Sequence, residues 1–303
     1  MLAVQGLVPW MRAELEQILR QNSSLMGGAR LEDCRSLGGG CSQSAWQLQF
    51  SDGRVLFAKQ GTEAMLEAER LGLQALNAAA DPRDLMVPKP LALLRAESSQ
   101  ALLVVPWLDQ TGGDQAALGR GLAKLHRHSM QRGPGRYGWS SDGYIGLGPQ
   151  PGGWRDSWGE AYVQLRLCPQ LRLAQAWGLE LPSKAWLEVL TQVLEEHSPA
   201  PSLVHGDLWG GNAGVLADGR GALIDPASWW ADREVDLAMT HLFGGFSQGF
   251  YTAYEEEWPL AFGASDRIEV YNLYHLLNHA NLFGGGYRQQ CRQSIRLLKQ
   301  RFD

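Results

Sequence analysis

One stretch restricts the architecture of this chain more than any other. From Leu203 to Pro226 it reads Leu-Val-His-Gly-Asp-Leu-Trp-Gly-Gly-Asn-Ala-Gly-Val-Leu-Ala-Asp-Gly-Arg-Gly-Ala-Leu-Ile-Asp-Pro. Asp207, Asn212 and Asp225, side chains with hard oxygen ends, stand in it. The run from Ala222 to Ile224 is apolar and reads as a buried strand, which delivers Asp225 at a strand end. Any fold that uses this stretch must bring a carboxylate-bearing loop and a strand terminus to the same point. It must also do so late in the chain, after a long first half has built something else.

The 303 residues are 45% hydrophobic and 19% charged, with a net charge of −5. That is enough chain for one large or two modest globular units. A phosphate-gripping nucleic-acid binder would show a basic excess, so no nucleic-acid partner is expected. Glu14 and Glu16 interrupt the first apolar stretch, which argues against a signal peptide. No apolar run is long enough to span a bilayer, so no membrane partner is expected. Cys34, Cys41, Cys168 and Cys291 form no C-x-x-C pair of the metal-binding kind, and the cytoplasm is the expected compartment.

Apolar residues recur at helical spacing from Leu7 to Leu19, which predicts an opening amphipathic helix. A glycine-rich turn follows at Leu37 to Ser44, then an alternating strand over 45–50, the turn Ser51-Asp52-Gly53-Arg54, and a returning strand from Val55 to Lys59. Helical spacing resumes from Thr62 to Ala79, and Ala101 to Val105 reads as a very apolar strand. Residues 106–113 look like a boundary. Beyond it, helices are expected at 115–128, 158–175, 183–197, 235–243, 267–282 and 287–301, while 133–158, rich in Gly, Pro and aromatics, reads as a long loop of the kind that carries function. The order is α+β in two lobes.

Protein kinases use a loop H-R-D-L-x-x-x-N, whose Asp orients the acceptor hydroxyl and whose Asn holds magnesium, followed by a second metal-binding Asp. His205-Gly-Asp-Leu with Asn212 and Asp225 resembles that loop, with Gly206 replacing Arg as in the aminoglycoside and choline phosphotransferases. The remaining motifs resemble the fructosamine kinase, or ketosamine-3-kinase, family: Leu223-Ile-Asp-Pro226, Asp232-Arg-Glu-Val-Asp-Leu-Ala-Met239, Leu242-Phe-Gly-Gly-Phe246 and Tyr274-His-Leu-Leu-Asn-His-Ala-Asn-Leu-Phe-Gly-Gly-Gly-Tyr287. Trp154-Arg-Asp-Ser-Trp158, Arg166-Leu-Cys-Pro-Gln170, Tyr144-Ile-Gly146 and the loop Gly38 to Ser44 extend the likeness over nearly the whole chain. The resemblance implies a bilobal protein-kinase-like fold: an antiparallel-sheet N-lobe over 1–105, a hinge over 106–113 and a mainly helical C-lobe over 114–303. It also implies ATP-dependent phosphorylation of the 3-hydroxyl of ketoamines, either small molecules or glycated lysines on proteins, with ATP and Mg2+ as cofactors. The phosphorylated adduct then falls apart, which is a deglycation and repair activity. A phosphotransferase for another hydroxylated amine would share the same core residues, and a nucleotide-binding pseudokinase would be missing one of them.

The resemblance assigns Asp207 to the acceptor proton, a role that contributes typically ~10²–10⁴-fold in rate, and Asn212 and Asp225 to the metal. Lys59, at the end of Val55-Leu-Phe-Ala-Lys, matches the strand lysine that contacts the α- and β-phosphates, with Glu69 preferred over Glu67 as its helix partner. Gly38, Gly39 and Gly40 would let backbone N–H groups approach phosphate. Val105, Pro106, Trp107 and Leu108 form the expected adenine-binding hinge; Pro106 lacks an N–H, so a donor must come from Trp107 or Leu108. Trp209, Trp154, His275, Asn278 and Tyr287 are the expected substrate contacts, since aromatic rings stack on sugars. Asp232, Arg233 and Asp236 are expected to brace the catalytic loop. Cys41 follows the glycines, where local dipoles and Lys59 would favour a thiolate, and it is the expected seat of a redox-dependent homodimer; otherwise the chain is a monomer.

Overall fold

The structure is a computed structural model, which describes residues 17–19, 23–38, 44–95 and 100–302. Of the expected opening helix only Gln17 to Leu19 falls within them, and those three residues are helical. Gly39, Gly40 and Cys41 lie outside the described residues.

Five antiparallel strands form the N-terminal sheet: β1 (Leu31–Leu37), β2 (Ala45–Phe50), β3 (Val55–Thr62), β5 (Ala92–Arg95) and β6 (Gln100–Pro106), in the order β1-β2-β3-β6-β5. From Ala101 onward strand β6 is apolar, and both of its faces are covered. Ala101, Leu103 and Val105 meet Leu66, Leu73 and Leu76 of the helix Glu63–Ala79 (α1), whereas Leu102 and Val104 meet Leu48, Leu56 and Leu19 on the other side. Alternation along a strand divides one run of residues between two cores in this way. Thr62 caps α1 by accepting from the N–H of Met65, which fixes the register of the helix one residue beyond β3. Lys59 and Glu69 are thereby aimed at each other.

The short strand β4 (Leu85–Met86) pairs in parallel with a strand of the C-terminal half, Gly221–Leu223 (β13), which pairs with Ala213–Val215 (β12). Both halves also share a core: Leu66, Leu73 and Leu103 pack in one cluster with Leu118, Leu122, Leu203, Leu208 and Leu223. This common floor sets the strand end carrying Asp225 beneath the sheet carrying Lys59.

The C-terminal half contains the helices α2 (Ala116–Arg132), α3 (Trp158–Tyr162), α4 (Cys168–Ala174), α5 (Lys184–His197), α6 (Glu234–Phe243), α7 (Gln248–Glu257), α8 (Ala264–Phe283) and α9 (Gly286–Phe302). A π-turn, Val163–Leu167, joins α3 to α4 inside the segment expected as one helix. Within the expected loop 133–158 the chain instead makes four three-residue strands, β7 (Tyr137–Trp139), β8 (Gly143–Ile145), β9 (Gly148–Gln150) and β10 (Gly153–Arg155). Two of them join Ser202–Val204 (β11) and Trp229–Ala231 (β14) in a sheet ordered β10-β7-β14-β11, which flanks the catalytic segment. Helix α7 was also absent from the sequence reading. No described helix is long and apolar enough to cross a membrane.

Candidate active site

Strand β11 runs into His205-Gly206-Asp207, and the hairpin β12–β13 returns the chain to Asp225. Gly206 has φ +84°, and a Cβ there would stand 2.1 Å from the carbonyl oxygen of Ala227. An arginine cannot occupy that position without moving the backbone, which accounts for the departure from the kinase pattern. Asp236, fully buried on α6, accepts from the N–H groups of His205 (2.7 Å) and Gly206 (2.8 Å) and from Nε2 of His126 (3.1 Å). Burial opposes its charge, yet these donors hold its pKa below the ordinary value. His205 accepts from the Asp207 N–H through Nδ1 (3.3 Å) and donates through Nε2 to the Ile224 carbonyl (2.9 Å), tying the loop to the strand that delivers Asp225. Burial lowers the pKa of His205, which keeps the ring neutral in this role.

The five expected polar groups converge. Lys59 Nζ lies 2.8 Å from Glu69 Oε2 and 2.5 Å from Asp225 Oδ1. Glu67 is engaged elsewhere, bound to Arg70 at 2.6 Å. Burial works against the charge on Lys59, but the two carboxylates outweigh it and raise its pKa. Asn212 donates through Nδ2 to the Asp207 carboxylate (3.2 Å) and to the carbonyls of Asp207 (3.0 Å) and Asp225 (3.3 Å), which leaves Oδ1 as its ligand atom. Asp225 has φ +54°, a left-handed conformation that is uncommon outside glycine and that turns its side chain back toward Lys59. Burial and then the neighbouring Asp225 push the Asp207 pKa up to about 8; burial likewise raises Glu69 to about 7. Three carboxylates therefore share one ammonium, and the excess negative charge beside an amide oxygen fits a divalent cation held by Asp225 and Asn212.

At the hinge, the N–H of Trp107 donates to the Val55 carbonyl (3.2 Å), so among the two expected donors the Leu108 N–H is the one left for a base. Val105 is buried and Pro106 pairs with Leu56. Gly38 is exposed at the end of β1. Further along the hinge, the Thr111 N–H donates to the Val215 carbonyl, joining it to the catalytic hairpin.

The expected substrate residues divide. Trp209 is 42% exposed, beside Asp207 on the loop. Trp154 is half-buried in β10, and Tyr287 packs its ring 5.1 Å from that of His279. His275 and Asn278 are interior to α8 instead of facing an opening. Asn278 donates to the Ile145 carbonyl and accepts from Gln170, and a Cβ on Gly148 would fall 1.9 Å from its Oδ1, so it pins the β8–β9 hairpin. His275 is fully buried, neither ring nitrogen has a partner among the described residues, and burial pushes its pKa down to about 3. Of the three expected braces, only Asp236 touches the loop. Asp232 accepts from His197 (3.0 Å) and Tyr271 (2.6 Å), and Arg233 donates to the carbonyls of Trp258 and Pro259. His197, Asp232 and Glu234 come within metal-ligand reach of one another, but Tyr271 and Arg267 already occupy the carboxylates. The sequence reading missed His126; a histidine beside Leu118, Leu122 and Leu125 on an apolar helix face needs a buried partner, and that was its signal.

The sequence model of the fructosamine kinase family matches residues 14–301. The chain belongs to the fructosamine kinase family. It is 38% identical to a probable ketoamine kinase of a Synechocystis species over 97% of this chain and 98% of that one. A chloroplastic protein-ribulosamine 3-kinase of Arabidopsis thaliana is 34% identical, over 87% of this chain and 83% of the relative. Among solved structures, a putative fructosamine-3-kinase from Haemophilus somnus superposes with a TM-score of 0.82 at 25% identity, covering 95% of this chain and 97% of that one. As a fructosamine kinase, the chain is a ketosamine kinase of the bilobal protein-kinase-like fold.

Proposed function

We propose that this fructosamine kinase transfers the γ-phosphoryl group of ATP to the 3-hydroxyl of ketoamines, including adducts on lysine side chains, and thereby initiates their removal. The observation that carries the reading is the placement of Asp207. Its carboxylate is fastened by Asn212, and the loop beneath it is cradled by Asp236, opposite Lys59 and Asp225. In this reading Asp207 orients the 3-hydroxyl and takes its proton, while Lys59, held by Glu69, meets the phosphates. Magnesium on Asp225 and Asn212 would neutralise charge on the β- and γ-phosphates, and it would relieve the repulsion that raises Asp207. Leu108 offers its N–H to adenine. Trp209, exposed beside Asp207, offers a face to the sugar.

The test is turnover with ATP on synthetic ribulosyl-, erythrulosyl- and fructosyl-lysine, set beside an aminoglycoside and choline. Phosphorylation of at least one ketoamine, with the alternatives inert, is the expected result. Preference for an aminoglycoside or choline would overturn the assignment.

A further inference from the structure

Away from the phosphotransfer site a cavity of about 420 Å³ opens between α6, α7 and the start of α8. None of Lys59, Glu69, Asp207, Asn212 or Asp225 lines it. Leu237, Leu260, Ala264 and Ile268 make its apolar surface, and small-molecule pockets typically span roughly 300–1,000 Å³ with such a lining and a few placed polar groups. Tyr251 supplies an aromatic wall that is already fixed: its hydroxyl donates to Thr240 (3.1 Å), and the His241 ring stacks on it at 4.6 Å and 10°. The Phe250 ring meets the same phenol edge-on at 5.1 Å, so the Tyr251 ring is held from two sides.

The charges around the cavity are of unequal availability. Glu234 is buried and bound by Arg267 at 2.7 and 2.8 Å, so those two charges answer each other. Arg233 is committed to the Trp258 and Pro259 carbonyls and to the face of Trp258, 3.9 Å from the ring centre. Glu255 is exposed and has no ionic partner among the described residues, unlike Glu257, which pairs with Arg127. Burial lowers the pKa of His241, so that ring adds no positive charge. What remains is an apolar floor, an aromatic wall at Tyr251 and, in Glu255, one carboxylate without an ionic partner among the described residues. The loop between Leu260 and Ala264 also presents Phe262 fully exposed, a further apolar surface without a neighbour.

We propose that this cavity binds a small organic cation, an ammonium group carried on an apolar or aromatic body. The ammonium would pair with Glu255 and lie against Tyr251, and the body would fill the space over Leu237 and Ile268. An anion would meet Glu255 with like charge, and an uncharged ligand would forgo that contact. The site is separate from the kinase reading and stands without it. The cavity is nevertheless one side chain from the catalytic support, since Tyr254, which also lines it, bonds through its hydroxyl to Nδ1 of His126 (2.9 Å), and His126 holds Asp236.

The test is calorimetric titration of the full chain with 2-phenylethylammonium, beside 2-phenylethanol and 3-phenylpropionate. The ammonium should bind saturably, the alcohol about fivefold more weakly, as the loss of about 1 kcal/mol implies, and the carboxylate not at all. Glu255→Gln should weaken the ammonium to the level of the alcohol, and Ile268→Trp, which fills the cavity, should abolish binding. Glu255→Gln is a surface change, so it decides the matter even where Ile268→Trp does not fold. Equal binding of ammonium and alcohol, binding unaltered in either folded variant, or no saturable binding of the ammonium would each overturn the proposal.

Discussion

Lys59 and Asp225 are separated by 166 positions in the chain, yet their side chains meet at 2.5 Å. One comes from the N-terminal sheet and the other from the strand end that follows the catalytic loop. Glu69 completes the arrangement from α1, so the Lys59 ammonium is held from both halves of the molecule.

Removing the helix partner should therefore cost function more than fold. Glu69→Gln leaves Lys59 with Asp225 alone and frees it to swing toward that carboxylate. The expected result is a fall of about tenfold or more in kcat/KM for ATP, since truncating one member of a buried pair costs several kcal/mol at most and part of that is recovered by Asp225. Unchanged ATP kinetics would show that the pair has no part in placing the lysine.

Gly206→Ala is expected to destabilise the protein by about 2 kcal/mol or more. The substitution forces a side chain into φ +84° and sets a methyl group 2.1 Å from the Ala227 carbonyl oxygen. Thermal unfolding of the variant should show a clear drop in Tm together with loss of turnover. A Tm equal to that of the parent would mean that the loop relaxes freely and that the glycine has another purpose.

Much of this site was legible in the sequence because phosphoryl transfer needs particular residue types at set offsets. Asp207, Asn212 and Asp225 stand out without any structural knowledge, and the apolar run before Asp225 announces the strand that carries it. The strands β7 to β10 were not legible. Each is three residues long; β10 pairs with β7, and β7 with β14 more than seventy positions away, so local propensity has little to report. His275 and Asn278 were legible as polar residues in a distinctive block, but not their depth: both sit on the buried stretch of α8, where Asn278 fastens a hairpin and the His275 ring nitrogens have no partner among the described residues. The brace on the loop was only partly read, because Asp232 and Asp236 are alike in sequence, yet Asp232 precedes α6 and turns to His197 and Tyr271 while Asp236 sits in its first turn and faces the loop.

The burial of His275 has a consequence for acid stability. Its folded pKa, about 3, lies below the ordinary value of 6.5, so the folded state prefers the neutral ring. Such a group contributes stability that is present above pH 6.5 and is lost as pH falls, because the unfolded chain takes up the proton first. Between pH 7 and pH 5 this one residue should cost about 2 kcal/mol. Urea unfolding of His275→Leu at both pH values should show a correspondingly smaller loss than the parent; an identical loss would place the acid sensitivity elsewhere.

Asp225→Ala should abolish magnesium-dependent turnover, since it removes the only carboxylate assigned to the metal. Lys59 keeps Glu69 in this variant, so the chain should remain folded by circular dichroism. Activity retained at ordinary magnesium would move the metal to other ligands.

The central claim is that Asp207 takes the proton from the acceptor hydroxyl. Its most direct test is steady-state kinetics of Asp207→Asn on whichever ketoamine the parent phosphorylates, with ATP affinity measured alongside. The replacement keeps the shape and removes the proton acceptor, so kcat should fall by ~10²-fold or more while ATP binds nearly as before. Turnover within a few-fold of the parent would contradict the account.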